Sequence, residues 1–168
     1  AERAGEGGAA AALGDDEARK AVHRCEFDRR SAELIKLRET EIGIADHNTI
    51  AGCLEVAHLP GVIFGEEVTA NFPDDECKVH ILVWGLTETQ HREIQMRRDN
   101  VFELQRYLVE QSLAHAVAHP LRSPDEKLTP LHFQKLALIF RHFEGINGRY
   151  HARLSDAVRY ALQSLTPS

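Results

Sequence analysis

Ten histidines stand in 168 residues, and some of them fall beside acidic residues at places where a metal could be held. His47 closes the run IADH, Glu67 lies in FGEEVT, His80 in CKVHIL, and His119 ends AHAVAH before a proline. Imidazole nitrogen and carboxylate oxygen together suit zinc, manganese or iron. A divalent ion held by such groups polarises an ester and lowers the pKa of water, so this set points to metal-assisted hydrolysis. Each residue also has an ordinary reading. A lone histidine at a strand end is more often a satisfied core or capping group than a ligand, and Glu66-Glu67 would make an exposed edge pair. Adjacent strand residues point to opposite faces, however, so one of these glutamates faces inward if its strand is central. A buried carboxylate then needs a donor or a cation.

The elements that must position these groups follow from local pattern. Residues 41–46 read as a strand, and Asn48 or Thr49 is expected to cap a helix over about 50–58. Residues 61–70 and 78–86 are β-branched and apolar between Pro, Gly and Asp, and read as strands. The second is apolar on both parities, which predicts cover on both faces. Thr87 with Gln90 forms a capping-box pattern, opening a helix over about 88–112 in which Ile94, Val101, Leu104 and Leu108 recur at helical spacing. A short strand over 113–118 ends at His119-Pro120. Thr129-Pro130 opens a helix to about 142. FEGING (143–148) reads as a strand or turn, and a last amphipathic helix covers about 151–165. An earlier helix is expected over 29–39. The resulting β-α-β-β-α-β-α-β-α order predicts an α/β fold with a mostly parallel sheet. His47, Glu67, His80 and His119 would then sit on four strands, where strand ends and adjoining loops build an active site. The remaining histidines carry less: His91, His132, His142 and His151 are expected on helix surfaces, His58 at a helix end, and His115 in the core.

Composition narrows the function classes. Net charge is −6 with histidines neutral, which argues against a surface for nucleic acid, since that needs clustered Lys/Arg. A small phosphorylated substrate stays compatible, because a metal supplies local positive charge. The three cysteines, Cys25, Cys53 and Cys77, are odd in number with no CxxC, so neither a disulfide framework nor a Cys-rich zinc site is expected. No apolar run approaches the roughly 20 residues that cross a bilayer, and AERAGEGGAAAAL does not read as a secretory signal. The expectation is a cytoplasmic protein without membrane association. Residues 1–19 read as a disordered lead-in, and 20–168 as a single domain. GxGxxG, GKS/T and GxSxG are all absent from the chain.

IADHNTIAG (44–52), GVIFGEEVT (61–69), CKVHILVWGL (77–86), HAVAHP (115–120) and FEGING (143–148) resemble, in this order, successive motifs of the PHP family, named for polymerase and histidinol phosphatase. The likeness covers about residues 32–150. It implies an incomplete, distorted (β/α)7 barrel of mostly parallel strands, and a metal-dependent phosphoesterase with up to three divalent ions. Carried over by position, the resemblance makes Glu67 the bridging glutamate and His80 and His119 ligands of the central ion. His47 would be a ligand of a further ion, with Asp46 a neighbouring acid acting with Glu67 in catalysis. The family's opening H-x-H pair is matched only by His23, with Ala21 in the first position. Its closing D-x-H strand has no counterpart up to Ser168. The resemblance therefore implies fewer ions than three, with the ion at Glu67, His80 and His119 retained. The reading is phosphoester hydrolysis impaired by missing ligands. The alternatives are a non-catalytic remnant that binds metal or a partner, and a portion of a longer domain.

Overall fold

Four strands and four helices form from this pattern in the computed structural model, which describes residues 42–145, 156–158, 160 and 163. The strands are β1 (Ile42–His47), β2 (Val62–Asn71), β3 (Lys78–Trp84) and β4 (Ala114–Val117). The helices are α1 (Ala51–Glu55), α2 (Glu88–Arg97), α3 (Val101–Glu110) and α4 (Pro130–Ile139). The expectations for 1–19, for the helix at 29–39 and for His23 lie outside the described residues. So does most of the last expected helix, of which 156–158, 160 and 163 are described and helical.

The sheet runs in the order β1-β2-β3-β4. β1 and β2 are parallel, while β2–β3 and β3–β4 are antiparallel. This overturns the expected (β/α)7-type barrel with mostly parallel strands: the sheet is mixed and open among the described residues. The reason is chain length and connection type. β2 and β3 are joined by residues 72–77 alone, where Glu76 adopts a positive φ of 59°. So short a link makes an antiparallel hairpin, because a parallel return needs a dozen or more residues. Between β3 and β4 the chain passes through two helices rather than one and comes back reversed. Residues 143–148 were expected to add a strand or turn, and at 143 the chain makes a single parallel bridge to Val117.

The long expected helix 88–112 is two helices. Asn100 has extended backbone, and its side-chain oxygen accepts from the amides of Phe102 at 3.0 Å and Glu103 at 3.4 Å. This N-cap starts α3 afresh. Ile94, Val101, Leu104 and Leu108 are nonetheless all fully buried, so the apolar periodicity runs across a break it does not reveal. Thr87 and Gln90 form the expected reciprocal capping box on α2.

One face of the sheet is buried and the other half-covered. Along β2 and β3, Glu66, Val68, Ala70, Val79, Ile81 and Val83 are buried, and Glu67, Thr69, His80, Leu82 and Trp84 between them are half-buried. β3 was expected to be covered on both faces; its alternation shows one face buried and the other half-covered. The covered face packs on Ile94, Leu104, Leu108, Leu136 and Phe140 in one continuous core. On the other face the Trp84 indole lies across Gly43 and Gly65, where an added Cβ would collide with the ring. Among the described residues no helix is long and apolar enough to cross a membrane.

Candidate metal centre

Register decides which polar groups share a face. β1 pairs His47 with Glu67, and β2 pairs Thr69 with His80. Paired residues project to the same side, so His47, Glu67 and His80 all stand on the less covered face. Just beyond β4, Ala118 donates its amide to the His80 carbonyl at 2.9 Å, and the next residue, His119, turns back towards the same spot.

Three side chains meet there. Glu67 Oε1 lies 2.7 Å from His80 Nδ1 and 3.1 Å from His119 Nε2, and the two histidine nitrogens are 3.0 Å apart. His47 approaches from the rim, its Nε2 3.9 Å from Glu67 Oε2 and its ring centroid 4.8 Å from that of His80. The His47 side chain is 62% exposed, against 12% for His80 and 13% for His119, so the centre has a walled side and an open side. His47, Glu67 and His80 offer ligand atoms that all lie within 4.8 Å of one another.

The donor set fits a small divalent ion. Nitrogen and oxygen ligands about 2.0–2.1 Å from a tetrahedral zinc would stand roughly 3.3 Å from each other. The observed separations of 2.7–3.1 Å are shorter than that spacing by roughly 0.2–0.6 Å, a gap that side-chain rotation closes when an ion enters. Ring orientation agrees with it. His119 Nδ1 faces the Arg122 carbonyl at 3.3 Å. Donating there keeps the proton on Nδ1 and turns the Nε2 lone pair towards Glu67 and His80, the arrangement common in histidine ligands.

Without a cation the same contacts need protons. His119 can serve both the Arg122 carbonyl and Glu67 only as imidazolium. Its pKa is accordingly raised, chiefly by the hydrogen bond to Glu67. The Glu67 carboxyl is held far below the usual carboxylate range by its hydrogen bonds from His119 and His80.

The other expected site residues lie elsewhere. Asp46 pairs in register with Glu66, on the face opposite Glu67. Its Oδ2 sits against Gly52 of α1, so closely that a Cβ there would overlap it. The sheet thus separates Asp46 from the catalytic partnership with Glu67 implied by the resemblance. Of the two expected caps of α1, whose N-cap position is Ile50, the Asn48 side chain makes no hydrogen bond to the helix, while the Thr49 hydroxyl accepts from the Ala51 amide at 3.2 Å. Asn48 instead bridges to β2: its Oδ1 accepts from the Thr69 amide at 2.7 Å, and its Nδ2 donates to the Thr69 hydroxyl at 3.0 Å. With a φ of 55°, Asn48 ties down the turn directly after His47.

Two histidines expected on helix surfaces are structural. His132 is buried, accepts at Nδ1 from the Thr129 amide at 3.1 Å, and pairs through Nε2 with Asp75 at 2.9 Å. His91 lies 2.9 Å from Glu66 Oε2, which also accepts from Gln95 Nε2 at 2.8 Å. Glu66 is the fully buried glutamate of the pair; its Oε1 has no hydrogen-bond partner, and burial raises its pKa. The spacing of His91 and Gln95, four residues apart on α2, was the available signal for this contact.

No family model and no curated protein matches this sequence.

Proposed function

We propose that this chain binds one divalent transition metal through Glu67, His80 and His119 and hydrolyses a phosphate ester. The observation that carries the reading is the convergence of one carboxylate oxygen and two imidazole nitrogens, from β2, β3 and the end of β4, at 2.7–3.1 Å. Phosphate as the substrate class rests on the likeness of IADHNTIAG, CKVHILVWGL and HAVAHP to PHP motifs, and the acidic chain favours a small phosphate over a nucleic acid. When bound, a divalent ion supplies positive charge for the phosphoryl oxygens and a lowered pKa for water.

The chain's own groups divide the remaining work. Glu67 gives one oxygen to the two half-buried histidines and leaves the other facing His47. Asn48 keeps the turn that carries His47 attached to β2. His47, the most exposed of the four, stands on the open side of the centre, where a substrate would enter. A second reading, a metal-binding module without turnover, is favoured by one observation: Asp46, the acid expected to act with Glu67, is on the far side of the sheet.

Hydrolysis of p-nitrophenyl phosphate with added manganese or zinc separates the two readings. The hydrolase reading expects turnover that is lost on chelation and lost in Glu67→Ala. Turnover that survives Glu67→Ala would exclude these residues as its source, and metal uptake without turnover on any phosphoester would favour the binding module.

A further inference from the structure

We propose that Glu144 is a positioning residue for this centre, fixing the backbone from which His119 reaches the metal; the proposal rests on the metal-binding reading above. His119 has a φ of +30°, a left-handed value that a side-chain-bearing residue adopts rarely. Pro120 follows it, and a residue before proline is pushed towards extended backbone. The chain at His119 is thus held in a conformation that its local sequence disfavours. It has also left the ladder, since β4 ends at Val117, so the sheet no longer supplies its amide with a partner.

Glu144 supplies one. Its Oε2 accepts from the His119 amide at 2.8 Å. The carboxylate is brought there by backbone bonds on either side of Phe143. Val117 donates to the His142 carbonyl at 3.0 Å, and Glu144 donates to the Val117 carbonyl at 2.9 Å. Residues 142–144 therefore lie along β4, and the Glu144 side chain spans the gap that the turn at His119 opens. His119 is then gripped at two points: its amide by Glu144, and its Nδ1 by the Arg122 carbonyl at 3.3 Å. These contacts fix both the origin and the rotation of the imidazole, so Nε2 arrives 3.1 Å from Glu67 Oε1. Small errors at such supporting contacts are felt at a ligand, whose donor atom must be placed within a few tenths of an ångström.

The test is zinc affinity of the full chain, measured by competition with a chromophoric chelator, beside the thermal midpoint of the zinc-free protein. Glu144→Ala is expected to weaken zinc binding by about 10–100-fold, as loss of such supporting contacts does elsewhere, with Glu144→Gln within about threefold of wild type. Glutamine keeps an acceptor for the His119 amide and loses only the charge. The zinc-free midpoint of Glu144→Gln should match the wild type, and that of Glu144→Ala should fall too little to account for its lost affinity. The role of Glu144 is overturned if Glu144→Ala binds zinc as tightly as wild type, if Glu144→Gln fails as badly as Glu144→Ala, or if affinity falls only in step with zinc-free stability. Wild-type protein that takes up no zinc would overturn the centre itself, and this role with it.

Discussion

Glu67 makes the side-chain contacts on which the centre depends, and the behaviour of its neighbours with pH follows from them. Its folded carboxyl titrates below the ordinary 4.5 because His119 and His80 hydrogen-bond to it. His119 titrates above the ordinary 6.5, mainly because of Glu67. The carboxylate's contribution to stability is present above pH 4.5 and lost as pH falls towards its depressed value. The imidazolium's contribution is present below pH 6.5 and lost as pH rises through its raised value. In metal-free protein the pair should therefore stabilise the fold most between those limits. Thermal midpoints of metal-free protein across pH 4–9 should decline at the alkaline end, and His119→Ala should flatten that decline. An unchanged alkaline limb in His119→Ala would show that the contact contributes nothing. Metal affinity should move the opposite way over the same interval, because the cation must displace the proton on His119.

At the scale of elements, β2 does two jobs with adjacent glutamates. Glu66 faces the core and is held by His91 and Gln95 of α2, while Glu67 faces the centre. The face that carries Glu67 also depends on Trp84. Its indole covers Gly43 of β1, where an added Cβ would lie 2.6 Å from Cζ3. Gly43→Ala should therefore destabilise the protein by about 1–3 kcal/mol through overpacking. In a Trp84→Ala background the same change should cost nothing or stabilise slightly, since alanine suits a strand better than glycine. Denaturation of the two single variants and the double variant measures the coupling directly. Additive effects would mean that the ring and the glycine are independent.

At the scale of the molecule, the described residues form a four-stranded mixed sheet with helices on one face and the candidate centre on the other. Much of this could be read in the chain. All four strands and the capped starts of α2 and α4 follow from local pattern and turn chemistry, and Glu67, His80 and His119 were singled out because each lies on or just beyond a strand. Alternation of elements suggests a parallel sheet, but the length of 72–77 permits only a hairpin between β2 and β3. The break at Asn100 was hidden because the apolar spacing on either side stays in phase. The resemblance places Asp46 with Glu67, yet Asp46 pairs in register with Glu66, and neighbouring strand residues face opposite ways. The contact of His132 with Asp75 joins distant segments that local pattern does not report, while the contact of Glu66 with His91 left one local trace, the four-residue spacing of His91 and Gln95. The central claim is the three-residue metal centre, and zinc stoichiometry by equilibrium dialysis tests it most directly, comparing wild type with His80→Ala. One zinc per chain in the wild type, lost in His80→Ala while the variant stays folded, is the predicted result. A wild type that retains no zinc, or a folded His80→Ala that retains as much, would contradict it.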